Sequence, residues 1–131
     1  MKKIGILNKE ISSVIAGMGH NDKLVVCDAG LPIPISTKRI DLALKKDLPG
    51  FVETVKVISE ELKVERIILA EETGKVSPHI EKELIGIFKD SKIEKVSHEE
   101  FKRLTQDAKA VVRTGEFTPY ANVILVSGVV F

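Results

Sequence analysis

Segments with the hydrophobic spacing of a helix alternate with short apolar runs, and that alternation constrains the fold more than any other feature of the chain. Ile11, Val14, Ile15 and Met18 recur at the interval of one helix face. Asn8 can cap that helix, and Gly17 and Gly19 close it. Lys23-Leu-Val-Val-Cys-Asp28 then reads as a buried strand, and Ile40 with Leu42 as a short one. Pro49-Gly50 introduces a second helix with Phe51, Val55, Ile58 and Leu62 on one face. Arg66 to Ala70 is a further strand. Ser77-Pro78 opens a third helix, with proline at its first position and Ile80, Leu84, Ile87 and Phe88 on its apolar face. Ser97 and Glu100 fit a capping box for a short helix carrying Phe101 and Leu104. Val111-Val112 and Val123 to Val126 supply the last two strands.

This order of elements predicts the α/β class: a largely parallel sheet flanked by helices. The last two strands have no helix between them, so strict alternation breaks there and the sheet is expected to be mixed. At 131 residues, with 44% hydrophobic, the chain suits one domain spanning residues 1–131 with a core of its own. It shows no repeat, low-complexity stretch or linker.

Charge and cysteine content narrow the function. Twenty basic and nineteen acidic residues leave a net charge of +1. No basic stripe interleaved with aromatics is present, so neither charge nor pattern supports nucleic-acid binding. A single cysteine, Cys27, cannot close an internal disulfide, and its apolar surroundings suggest a small buried hydrophobe rather than a nucleophile. Asn8, Lys9 and Glu10 interrupt the first apolar run too early for a signal peptide. No stretch approaches the ~18 apolar residues of a membrane span. These features predict a soluble, cytoplasmic protein.

The chemistry-bearing residues fall in four places. Arg113-Thr-Gly-Glu-Phe-Thr-Pro-Tyr-Ala-Asn122 packs a guanidinium, a carboxylate, hydroxyls, a phenol and a carboxamide into ten residues between two apolar runs. Loops held by a rigid scaffold are where binding groups gather. Tyr120 and Asn122 are two apart, so on an extended chain they point the same way, which suits a small polyhydroxylated ligand. His20 follows Gly19 where the first helix turns into a strand; glycine there allows an unusual backbone, and imidazole can exchange protons near neutrality. Asp28 ends the first strand, where open α/β sheets bind ligands, although it could equally start the loop as a turn acceptor. His98 is expected at a helix N-terminus, whose dipole disfavours imidazolium. His79, among Lys75, Glu81 and Lys82, reads as solvated surface. No Gly-rich nucleotide loop, Walker lysine, paired-cysteine spacing or His-Glu-x-x-His occurs, so no metal or nucleotide cofactor is expected.

Taken together, Asn8, Gly19-His20-x-Asp22, Asp28-Ala-Gly-Leu-Pro32, Arg39-Ile-Asp41, Ser97-His98-Glu99, Lys102 and Arg113-Thr-Gly-Glu-x-x-Pro-Tyr-Ala-Asn122 resemble the family of D-ribose pyranases and L-fucose mutarotases. The resemblance runs the length of the chain. Asn21 stands where that family more often has threonine, a polar residue of similar size. The resemblance implies interconversion of the pyranose and furanose forms of D-ribose without metal or organic cofactor. It implies that His20 is the proton donor and that Asp28, His98, Tyr120, Ala121 and Asn122 bind the sugar. It also implies a ring-shaped homo-oligomer, typically a decamer, with sites shared between subunits.

Opening a hemiacetal requires a proton on the ring oxygen and loss of one from the anomeric hydroxyl; general acid–base help is worth about 10²–10⁴-fold. Two other readings use the same residues. One is a non-catalytic sugar-binding or regulatory module, which would not need His20. The other is a mutarotase for L-fucose or another aldose. The apolar end Gly128-Val-Val-Phe131 is expected to be tucked into the core or into a neighbouring subunit.

Overall fold

The computed structural model describes all 131 residues. Six strands and five helices follow in the order α1 (Lys9–Gly17), β1 (Lys23–Cys27), β2 (Arg39–Asp41), α2 (Phe51–Ser59), β3 (Val64–Ala70), α3 (Glu71–Val76), α4 (Pro78–Ile87), β4 (Lys92–Val96), α5 (His98–Leu104), β5 (Ala110–Arg113) and β6 (Val123–Ser127). The strands form one sheet in the order β2-β5-β1-β6-β3-β4. β2, β5 and β1 run parallel, as do β3 and β4, while β6 runs antiparallel to both of its neighbours. The sheet is therefore mixed, and the strand that breaks the pattern is the one that follows the polar loop with no helix before it.

Strand alternation builds a core on each face. Leu24 and Val26 of β1 face a cluster with Ile67, Val112 and Leu125, covered by Ile11 of α1, Phe51, Val55 and Ile58 of α2, and Ile80 and Leu84 of α4. Val25 and Cys27 face the other side with Ile68, Val111 and Ile124, covered by Phe101 of α5 and by Leu31. Residues i and i+2 share a face of a pleated strand, so a fully buried strand reads as a continuous apolar run.

Several local expectations need revision. Ser97 Oγ accepts the Glu100 N–H at 3.2 Å, but the Glu100 carboxylate binds Arg103 at 2.8 and 2.6 Å and does not reach back. Only half of the capping box forms, because an i,i+3 guanidinium is the stronger partner. Leu62 is buried but lies beyond the end of α2. β4 and α3 carry no sequence signal strong enough to predict them. β4 is Lys-Ile-Glu-Lys-Val on the sheet edge, largely exposed, its charges guarding an open edge. Val129, Val130 and Phe131 are 38%, 85% and 101% exposed, so the chain's own core does not take up this apolar end.

Candidate active site

At the carboxyl ends of β1 and β5 lies a cleft of about 540 Å³. Asp28, Gly30, His98, Arg113, Tyr120 and Asn122 are among its lining groups. The sheet brings these together: Cys27 pairs with Arg113 in the β1–β5 register, so Asp28 and the start of the 113–122 loop emerge side by side.

Asp28 is bound on both oxygens. Its Oδ1 accepts the N–H groups of Gly30 and Leu31, each at 2.9 Å, which closes the loop after β1. Its Oδ2 accepts Asn122 Nδ2–H at 3.1 Å, and its own N–H donates to Asn122 Oδ1 at 2.9 Å. Burial raises the Asp28 carboxyl above its ordinary value, against the opposing pull of the Gly30, Asn122 and Leu31 hydrogen bonds and of nearby His98. Asn122 is 1% exposed. Its carboxamide ties the start of β6 to the end of β1.

The 113–122 loop is fixed from both sides. Arg113 donates from Nε to the Ala29 carbonyl at 3.1 Å and from Nη1 to both Asp41 oxygens at 3.1 and 3.2 Å. Thr114 Oγ1–H donates to the Cys27 carbonyl at 2.7 Å. A Cβ on Gly115 would collide with the backbone of Lys45 and Leu48, so only glycine lets these loops meet. Glu116 accepts the Phe51 N–H at the start of α2 and the Thr118 hydroxyl, at 2.9 and 2.7 Å. On the far side, Thr73 of α3 donates its hydroxyl to the Tyr120 carbonyl at 2.9 Å, and Ser77 donates to the Pro119 carbonyl at 2.7 Å.

Tyr120 does not lie on an extended chain. Its φ is +59°, so it does not share a direction with Asn122 as a two-residue spacing implies for a strand. The turn sends the Asn122 carboxamide to Asp28 and the Tyr120 ring to His98, edge to face at 5.0 Å and 87°. Ala121 is fully buried between them, and its N–H donates to the Thr118 carbonyl at 3.3 Å. His98 opens α5, and its N–H donates to Glu72 at 2.9 Å. His98 Nδ1 is buried with no hydrogen-bond partner.

His20 is elsewhere. It precedes the amino end of β1, and β1 to Asp28 spans roughly 17 Å at the rise of a strand. Its Nε2 faces Glu65 of β3, 3.1 and 3.0 Å from the two carboxylate oxygens. The unusual backbone falls on Asn21, φ +68°, and not on Gly19; asparagine tolerates that region better than most residues. Gly19 instead donates its N–H to Asp22 at 2.9 Å, which holds the Asp22 carboxyl below its ordinary value. One chain therefore gathers Asp28, His98, Tyr120 and Asn122 at the cleft; Ala121 packs its side chain into the core instead, and His20 is not brought there. Sequence reading passed over Arg113, Thr73 and Ser77 as parts of the site. Arg113 was visible as a charge entering the loop, whereas nothing in the sequence ties Thr73 and Ser77 to it. Cys27 is fully buried, and burial pushes its thiol up to about 12.

Polar side chains converging on a cleft of this size at the strand ends of an α/β sheet make it the candidate small-molecule site. The chain belongs to the RbsD / FucU transport protein family, whose model matches residues 1–130. It is 60% identical to the D-ribose pyranase of Clostridium perfringens and 53% identical to that of Bacillus subtilis, in each case over all of both chains. The structure of Bacillus subtilis RbsD complexed with D-ribose superposes with a TM-score of 0.98 at 53% identity, covering both chains completely. The fucose mutarotase from Streptococcus pneumoniae, in complex with L-fucose, shares the fold at a TM-score of 0.81, with 24% identity and 95% of each chain covered.

Proposed function

We propose that this protein is a D-ribose pyranase, an isomerase that opens and recloses the ribose ring. The observation that carries the reading is the Asp28–Asn122–Tyr120–His98 cleft in a chain 53% identical, end to end, to an RbsD whose structure holds D-ribose. Asp28, His98, Tyr120, Ala121 and Asn122 bind the sugar. His20 donates the proton, and it does so in the cleft of a neighbouring copy, because its own cleft lies at the other end of β1. A ring-shaped homo-oligomer, a decamer in this reading, provides such neighbours. No helix is long and apolar enough to cross a membrane.

The reaction needs only proton transfers. His20 delivers a proton to O5 as the C1–O5 bond breaks, and the C1 hydroxyl passes its proton to an acceptor in the cleft as the carbonyl forms. On reclosure O4 attacks C1. The O4 proton returns to His20, and the acceptor reprotonates the carbonyl oxygen. Asp28 has three of its roughly four lone-pair positions occupied, which leaves about one for the sugar. Side-chain acid–base help of this kind supplies about 10²–10⁴-fold.

Saturation-transfer NMR on D-ribose tests the reading. Added protein is expected to speed exchange between pyranose and furanose signals, with or without a chelator. His20→Ala is expected to lower the rate about 10²-fold while still binding ribose. Binding without any acceleration by the wild-type protein would instead make this a sugar-binding module.

A further inference from the structure

We propose that Glu65 is a positioning residue for His20: it holds Nε2–H and leaves Nδ1 as the nitrogen that exchanges a proton with the sugar. The inference rests on the reading of His20 as the proton donor. Glu65 sits at the start of β3, 45 residues along the chain, yet both of its oxygens are within 3.1 Å of Nε2. An ionised carboxylate only accepts hydrogen bonds, so the nitrogen facing it carries the hydrogen. A neutral imidazole has one N–H, and with that hydrogen on Nε2 the lone pair is left on Nδ1. No side chain or backbone group of the chain bonds Nδ1.

The surroundings are built to hold this pair. The His20 turn is anchored by Gly19 N–H on Asp22 and by Asn21 N–H on the Ser127 carbonyl at 2.9 Å. Gly128 then passes beside Glu65; a Cβ there would stand 3.0 Å from Glu65 Cβ, so glycine leaves the carboxylate its position. Both side chains remain accessible, His20 at 50% and Glu65 at 39%. Exposed ion pairs add little to stability. A pair anchored from three segments, β3, the His20 turn and the end of β6, is better explained by what it does to the ring. In the catalytic cycle His20 starts as the imidazolium, with a hydrogen on each nitrogen; it gives the Nδ1 proton to O5, is left as the neutral Nε2–H tautomer, and regains a proton on Nδ1 from O4, while Nε2–H stays on Glu65 throughout.

The test compares wild type, His20→Ala, Glu65→Ala and Glu65→Gln, with ribose exchange measured by NMR and His20 ring nitrogens read in ¹⁵N-histidine-labelled protein. His20 signals are assigned by their loss in His20→Ala. The neutral ring of wild-type His20 is expected to be the Nε2–H tautomer. Glu65→Ala is expected to redistribute the ring proton and to lower kcat roughly 10-fold with KM within about twofold, a part of the full acid–base contribution. Glu65→Gln, whose carbonyl can still accept from Nε2–H, is expected to keep the tautomer and most of kcat. A neutral wild-type His20 with its one hydrogen on Nδ1, or Glu65→Ala at wild-type kcat while His20→Ala is inactive, would overturn the role of Glu65 and leave the pyranase reading standing. A wild-type protein that does not accelerate exchange would overturn that reading, and this inference with it.

Discussion

Asn122 makes two hydrogen bonds to one residue, and that pairing decides what its removal would do. Its carboxamide satisfies the Asp28 N–H and one Asp28 oxygen from a position 1% exposed. Each such bond contributes about 1 kcal/mol net, and an orphaned buried group adds to the loss, so Asn122→Ala is expected to cost about 2–3 kcal/mol of stability. Urea denaturation checks this, and a loss under about 1 kcal/mol would mean that water replaces both bonds. The same variant is expected to weaken ribose binding, because Asp28 loses its orientation. Cys27 gives a pH effect of definite sign. Its thiol is raised from an ordinary 9.0 to about 12 in the fold, so its contribution is complete below pH 9 and is lost as pH rises toward 12. Iodoacetamide at pH 8 is expected to spare the folded protein and to label it in urea; rapid labelling of the native state would show that the sheet opens there.

The loop between β5 and β6 is rigid because two helices and a turn hold its backbone, and this dependence belongs to elements rather than residues. Thr73 is fully buried and donates to the Tyr120 carbonyl, so it helps keep Tyr120 at positive φ. Thr73→Val preserves shape and deletes that donor. It is expected to weaken ribose binding about fivefold, equivalent to about 1 kcal/mol, as read by calorimetry; unchanged affinity would mean that Ser77 on Pro119 suffices. The elements themselves were largely legible. Apolar runs such as Leu24 to Cys27 and Val123 to Val126 can only be buried strands, and helical spacing located α1, α2, α4 and α5. β4 was not legible, since a charged edge strand buries too little to need an apolar pattern. The path of the loop was not legible either. Residue spacing assumes an extended chain, whereas hydrogen bonds from Thr73 and Ser77, more than forty residues away, set the turn.

At the scale of the molecule, the fold separates the two parts of the proposed site. The cleft opens at the carboxyl end of β1 and His20 stands before its amino end. Beside His20, the chain leaves Ser127 for Val129, Val130 and Phe131, which lie largely in solvent. Ile4, Leu7, Ile35, Leu44 and Phe117 are also more than half exposed. The consecutive Val129, Val130 and Phe131 are the part of this exposed apolar surface that stands next to His20. A second copy that brings His20 to the cleft would also bring the apolar end that emerges next to it, which gives both exposed features one explanation. Light scattering is then expected to give a mass well above the 14.4 kDa of one chain. The sharper experiment mixes two inactive proteins. His20→Ala keeps its cleft and His98→Ala keeps its His20, so co-refolding them at equal amounts builds some sites with both halves intact. Random assembly in a closed symmetric ring makes that fraction about a quarter, and ribose exchange is expected to recover to about that share of the wild-type rate. Were each chain to use its own His20, every site would carry one lesion, and the mixture would stay as inactive as its parts.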